Sequence, residues 1–143
     1  MWQRIAGIAL ASLAASSAYG YGAGTGAARR AASVPTVRVG PPTVMGSLSP
    51  IAIRRVTLRN LTQLRLCYER ALAERRDIEG RITIRFVIGP QGTVQNAMVG
   101  ESSVAVPRLP ACFVNAVRSW QFPQPDGGGV VAVVAPFVLT TSS

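Results

Sequence analysis

The chain has 143 residues, of which 15 are basic, all of them arginine, and only 6 are acidic, so its formal net charge is +9. It contains no histidine and two cysteines, which excludes serine–histidine or cysteine–histidine nucleophiles and histidine-based metal sites. The composition predicts one domain with extra sequence and no catalytic site, metal or cofactor. An arginine-rich surface favours contacts with carboxylates or phosphates.

The first 18 residues have the pattern of a secretory signal peptide. Arg4 precedes an apolar run over residues 5–15, and the small residues Ser16 and Ala18 mark a cleavage site. The run is shorter than the ~20 residues of a membrane span. We predict an exported, periplasmic or envelope-associated protein, with retention by an uncleaved inner-membrane anchor as the alternative. Residues 19–48 show no clear periodicity and many glycines and prolines, which predicts a flexible tether.

A long amphipathic helix is predicted to open the folded part, which spans residues 49–143. Ser49 and Pro50 are suited to the N-cap and the first helical position. The apolar stripe that follows at helical spacing comprises Ile53, Val56, Leu61, Leu64, Cys67, Tyr68, Ala71 and Leu72. The opposite face is rich in arginine, so the stripe needs a packed domain to cover it.

A hairpin, a second helix and a last strand are predicted to follow. Residues 81–88 alternate between apolar and polar, and residues 93–103 form their hairpin partner with a bulge near Gln95 and Asn96. An apolar stripe then marks a short helix that ends near Trp120, and a β-branched run marks the last strand. In that strand Pro136 favours an edge position. The predicted fold is α+β, with two helices on one face of a three-stranded antiparallel sheet in the order α-β-β-α-β.

This succession of elements resembles the TonB C-terminal domain superfamily. The residues that carry the resemblance are Gly80, Ile82, Ile84, Phe86, Ile88, Gly92, Val94, Ser102, Ser103, Ala116, Val117, Trp120, Phe122, Pro123 and Pro125. Within the superfamily, "CYERAL", a second cysteine in the second helix and "GGG" before "PFV" resemble the AgmX/PglI C-terminal type. The resemblance covers about residues 46–139. It implies a non-enzymatic protein-interaction module of the cell envelope, in transport or gliding motility.

The last strand is the predicted binding element. In a three-stranded sheet whose first two strands form a hairpin, the third lies at an edge, and an open edge can bind an extended peptide by strand addition. In TonB the last strand captures a short segment of an outer-membrane receptor, so the resemblance implies a docking line here. Its residues are Val130, Val131, Ala132, Val133, Val134 and Ala135.

The expected partner is an outer-membrane receptor or a component of an envelope machine. Two alternatives stay open at this stage. In the first, the edge serves no partner and Pro136 protects it against aggregation. Otherwise, the chain is a structural or assembly subunit of a transport or motility complex, and it pairs through the same edge or with itself.

Two further sets of residues are candidates for a role. Cys67 and Cys112 lie on the buried stripes of the two predicted helices, which in an exported protein predicts a disulfide; two reduced core residues are the alternative. Arg54, Arg55 and Arg59 are predicted to contact an anionic surface, either lipid or cell-wall polymer. Nucleic acid is not predicted as a partner, because the chain offers this arginine face no aromatic stacking residues.

Overall fold

The computed structural model describes residues 34–142. The predicted signal peptide and residues 19–33 of the predicted tether lie outside this range. The elements of the described part are β1 (Val34–Val39), β2 (Thr43–Met45), α1 (Pro50–Arg59), α2 (Leu61–Glu74), β3 (Gly80–Ile88), β4 (Val94–Ser102), α3 (Arg108–Arg118), a 3₁₀ turn (Asp126–Gly128) and β5 (Val131–Ser142).

All strand pairs in the sheet are antiparallel, and the strand order is β1-β5-β3-β4, with β2 also paired to β5. β5 is therefore central. It pairs along its length with β3 on one side, from Gly80↔Leu139 to Ile88↔Val131. On its other side β1 pairs with its C-terminal half and β2 with its N-terminal half.

The helices cover one face of this sheet. Alternate residues of β5 are buried there, as the strand period of two requires; they are Val131, Val133, Ala135, Phe137 and Leu139. Within this layer α2 packs against α3 and β1, and α3 packs against β3 and β4. The core under the helices includes the edge-to-face pair Phe113–Phe137, whose ring centroids are 5.5 Å apart.

The predicted α+β class and the helices on one face are confirmed, but the element count is wrong. The predicted long first helix is two helices, α1 and α2, which meet at Asn60. There the Asn60 side chain donates to the carbonyl of Val56 at 2.8 Å, and the Thr57 hydroxyl donates to Ile53 at 2.9 Å. Such local side-chain bonds compete with the helical ladder, and the apolar stripe continues across the break.

The larger difference is at the N-terminal side of the domain. Residues 34–45, which we call the arm, form β1 and β2 instead of part of a tether. Pro41 and Pro42 interrupt the arm between its two strands, and such breakers conceal a strand pattern in the sequence. The alternation of Thr36 and Arg38 with Val37 and Val39 is the period-two signal that identifies β1.

The segment after α3 packs against the sheet through its aromatic residues, as the sequence predicts. Phe122 stacks on Phe86 of β3 at 5.5 Å between ring centroids and also contacts Trp120. The indole of Trp120 donates to Gln63 on α2 at 2.8 Å. At the β3–β4 turn, Gly92 has φ 87°, and a side chain there would meet the carbonyl oxygen of Phe122, so glycine is required.

Candidate peptide-binding flank of the sheet

The predicted docking line lies in β5, but it is not an open edge. Residues 131–135 belong to β5 and Val130 directly precedes it. β3 pairs with one side of this segment, and β2 pairs with the other through Thr43↔Val134, Val44↔Val133 and Met45↔Ala132. The prediction of an edge position is wrong because the arm supplies the neighbour that a three-stranded sheet would lack.

The backbone N–H and C=O groups of successive β5 residues point alternately toward β3 and toward the arm. The amide of Gly40 donates to the carbonyl oxygen of Pro136 at 3.0 Å, so the hydrogen-bonding groups of Pro136 point toward the arm. Because these groups alternate along a strand, Ala132 and Val134 also face the arm. We call this side of β5 the outer flank. The missing N–H of Pro136 points to the break between β1 and β2, which explains why a proline is tolerated in a central strand.

β2 covers the N-terminal part of the outer flank only thinly. It has three residues, and the side chain of Met45 is 61% exposed. The chain turns away directly afterwards at Gly46, whose φ is 136° and where a side chain would meet Val130 and Val131. Val130 itself is 56% exposed. On this side, the chain from Val130 to Ala135 is therefore covered only by a three-residue strand.

β4 forms the opposite margin of the sheet. Within residues 34–142 no strand pairs with its outer side. The strand is irregular, because its register against β3 shifts between Thr83 and Ile84 and again between Val87 and Ile88. The first of these shifts is at Gly100, and the second is the bulge predicted near Gln95. The guanidinium of Arg118 on α3 also reaches the carbonyl of Ala97 at a long 3.5 Å.

The C-terminal end of β5 is held by a carboxylate. Beyond the last β3–β5 pair, the Glu79 Oε2 accepts hydrogen bonds from the Thr141 amide at 2.8 Å and the Thr141 hydroxyl at 3.1 Å. Next to it, the Tyr68 hydroxyl donates to the carbonyl of Ile78 at 2.5 Å. Burial, followed by the charge of Glu79, raises the pKa of Tyr68 to about 12. The neutral phenol is thus part of the fold.

The remaining predicted residues are on the helices. A disulfide joins Cys67 of α2 to Cys112 of α3, as predicted. Arg54, Arg55 and Arg59 are exposed on α1, far along the chain from β5, and Arg54 donates to the carbonyl of Val39 at 3.2 Å. A groove of about 480 Å³ lies beside the disulfide between α2 and α3. The ion pair between Arg108 and Glu74 is at its rim.

Two other features of the described part bear on function. Residues 34–142 contain no cluster of three or more carboxylate or cysteine side chains suited to a metal ion. None of the helices in this range combines the length and apolarity that a bilayer crossing requires.

A family model matches the central and C-terminal part of the described chain. Residues 71–138, from the second half of α2 into β5, match the family model described as the Gram-negative bacterial TonB protein C-terminal. This part of the chain is thus similar to the TonB C-terminal domain superfamily, the resemblance that the sequence motifs predicted. Domains of this superfamily are periplasmic, non-enzymatic modules that interact with envelope proteins. The resemblance to the AgmX/PglI type stays a prediction.

A solved structure described as the solution NMR structure of the Pseudomonas aeruginosa TonB C-terminal domain is 20% identical, covering 73% of this chain and 93% of that one, with a TM-score of 0.31. At that score the structural likeness adds nothing to the family match. No curated protein matches the chain.

Proposed function

We propose that this TonB-like domain is an exported, non-enzymatic module that binds an extended peptide segment of an envelope protein along the outer flank of β5. The observation that supports this most is that the flank already carries an added antiparallel strand. The arm supplies that strand from a segment that precedes the helices, outside the β3–β4–β5 core. A partner's strand would use the same backbone groups of Ala132 and Val134.

Such binding requires β2 to leave while β1 stays. β2 contributes three residues, of which Thr43 and Met45 are exposed and Val44 is partly buried against the core, so its release uncovers one apolar side chain. A net hydrogen bond contributes about 1 kcal/mol, so the cost of breaking this short ladder is roughly 2 kcal/mol. That cost would lower the apparent affinity for a partner by roughly 30-fold. The arm thus lowers the affinity for a partner but does not prevent a partner from binding at the outer flank.

The other place where a partner strand could add to the sheet is the outer side of β4, which is unpaired in the described part of the chain. Two register shifts make that strand irregular, and bulges of this kind are a common device against edge-to-edge pairing. A regular partner strand would meet a continuous line of donors and acceptors on β5 but not on β4. The outer flank of β5 is therefore the better docking line.

The proposal is tested by capturing the partner from envelope extract with the full chain and measuring the affinity of variants. Met45→Pro removes an amide from β2 and should raise the affinity by about tenfold, because the competitor strand is weakened. Met45→Ala is the matched control, since it loses the same exposed side chain but keeps the amide.

The complementary variant is Val130→Pro, which removes an amide on the same side of the strand as Ala132 but beyond the residues that β2 pairs with. It should lower the affinity by roughly fivefold, whereas Val130→Thr, which keeps the amide, should not. If the partner binds both proline variants as tightly as the unmodified chain, strand addition at β5 is wrong. Capture of a second copy of the same chain through this flank would instead favour an assembly subunit.

A further inference from the structure

The outward face of α1 forms a surface of its own. Five residues line a shallow groove of about 430 Å³ along this helix; they are Ile51, Arg54, Arg55, Leu58 and Arg59. We call them the α1 patch. At 100° per residue they fall on one side of the helix, and the opposite side carries the buried residues Ile53, Val56 and Thr57. The patch thus makes up most of the solvent-facing side of α1, and it contains only aliphatic and arginine side chains.

Two aliphatic side chains of the patch are exposed to solvent. Ile51 is 68% exposed and Leu58 is 46% exposed, and they are separated by two helical turns. Exposed aliphatic residues in single positions are common. Here, however, they share one stripe with arginines on either side, which is the pattern of a helix that lies in a membrane interface.

The charge of the patch is not compensated by nearby carboxylates in the sequence. The first acidic residue of the chain is Glu69, beyond α1. Among residues 34–142 the salt bridge found joins Arg108 to Glu74, on other helices. Asp126 comes near the start of α1 through its backbone amide, which donates to Ser47, but its carboxylate forms no ion pair within the described part. The guanidinium of Arg54 donates to the carbonyl of Val39, and its other donors have no partner among residues 34–142.

We propose that the α1 patch docks the domain on an anionic phospholipid surface. Ile51 and Leu58 would enter the boundary between headgroups and acyl chains, and the arginines would bind phosphates. All five residues lie on one helix, so the groove is shallow and no second element walls it. A bound peptide helix needs a groove that surrounds its apolar face, whereas a bilayer accepts a shallow face on a single helix. The patch shares no residue with the outer flank of β5, so this inference stands independently of the proposed function.

The charge requirement is tested by cosedimentation of the full chain with phosphatidylcholine vesicles that contain or lack phosphatidylglycerol. Arg55→Gln with Arg59→Gln should weaken binding to the anionic vesicles by roughly 20-fold, because each arginine near the surface contributes about a fivefold factor. Arg75→Gln with Arg76→Gln is the matched control. It removes the same charge from exposed positions after α2 and should change binding less than about threefold.

The aliphatic requirement is tested by Ile51→Ser with Leu58→Ser, which should weaken binding by about tenfold and leave the thermal midpoint unchanged, since both side chains are exposed. Equal losses from both arginine pairs would overturn the proposal in favour of unspecific charge. Undiminished binding of the serine variant would overturn it in favour of another segment, such as the apolar run of residues 5–15. Preference for polyglutamate over vesicles would show that the patch binds an acidic protein instead.

Discussion

β4 and β5, the two neighbours of β3, are protected against unwanted strand pairing in different ways. β4 leaves its outer side unpaired in the described residues and is irregular at two points. β5 is regular throughout its pairing with β3, and its outer flank is covered by the arm. A regular strand is a good template for another strand and needs cover, whereas a bulged strand is a poor template and does not. The difference indicates which flank of the sheet is built to receive a partner.

The largest expected effect concerns the scaffold that both flanks share. The Cys67–Cys112 disulfide joins α2, which packs on β1, to α3, which packs on β4. Replacing both cysteines by alanine should lower the free energy of unfolding by about 4 kcal/mol, because the bridge closes a loop of about 46 residues. Urea denaturation measures this loss, and amide exchange should show both flanks losing protection together. Loss of protection in the arm alone would mean that the bridge serves only the covered flank.

The second prediction separates the two sides of β5. Val133 is buried and its backbone groups face β3, so Val133→Pro should cost roughly 3 kcal/mol or more through a lost ladder bond and lost packing. Ala132→Pro acts on the outer flank and should cost only about 1 kcal/mol. Denaturation of both variants in parallel checks this. Equal costs would contradict the assignment of alternate residues to alternate neighbours.

The smallest effect concerns the C-terminal end of the covered flank. The pKa of Tyr68 is raised to about 12 from its ordinary value of 10.0, so the fold prefers the neutral phenol. The resulting stabilisation is complete below pH 10 and is lost as the pH rises through about 12. Tyr68→Phe should cost about 1 kcal/mol at neutral pH, through loss of the bond to Ile78.

The check is a pair of denaturation series across this alkaline range. The unmodified chain should lose stability more steeply than Tyr68→Phe. The arm should respond as well, because Glu79 binds Thr141, which pairs with Pro35 of β1. Parallel alkaline profiles for the two proteins would contradict this account of Tyr68.

Much of the core could be read from the sequence, because its elements bury one regular face. The alternation from Ile82 to Ile88 and the stripe of α3 predicted a strand and a helix where they are found. The disulfide followed from one cysteine on each helical stripe. The motifs that resemble the TonB C-terminal superfamily were recognisable because their residues form the β3–β4 hairpin and the segment of Trp120 and Phe122 that packs against it.

The parts that were missed depend on distant pairing. β1 and β2 are short and interrupted by Gly40, Pro41 and Pro42, so they exist as strands only because β5 offers them a partner. No local pattern states that a strand such as β5 will find a second neighbour. For the candidate site, the sequence therefore predicted the strand but not that its outer flank is already occupied. The break at Asn60 was hidden because the apolar stripe passes through it.

The most direct test of partner docking at the outer flank of β5 compares two positions with similar exposure, one at the start of β5 and one on β4. Val130 is 56% exposed at the start of β5, and Met98 is 53% exposed on β4. A photo-crosslinking amino acid placed at either position in the full chain, and irradiated in its own envelope, reports which strand a partner approaches. We expect a crosslinked envelope protein from position 130, in higher yield when Met45→Pro weakens β2, and little or none from position 98. A partner captured from position 98 and not from position 130 would contradict docking at the outer flank of β5.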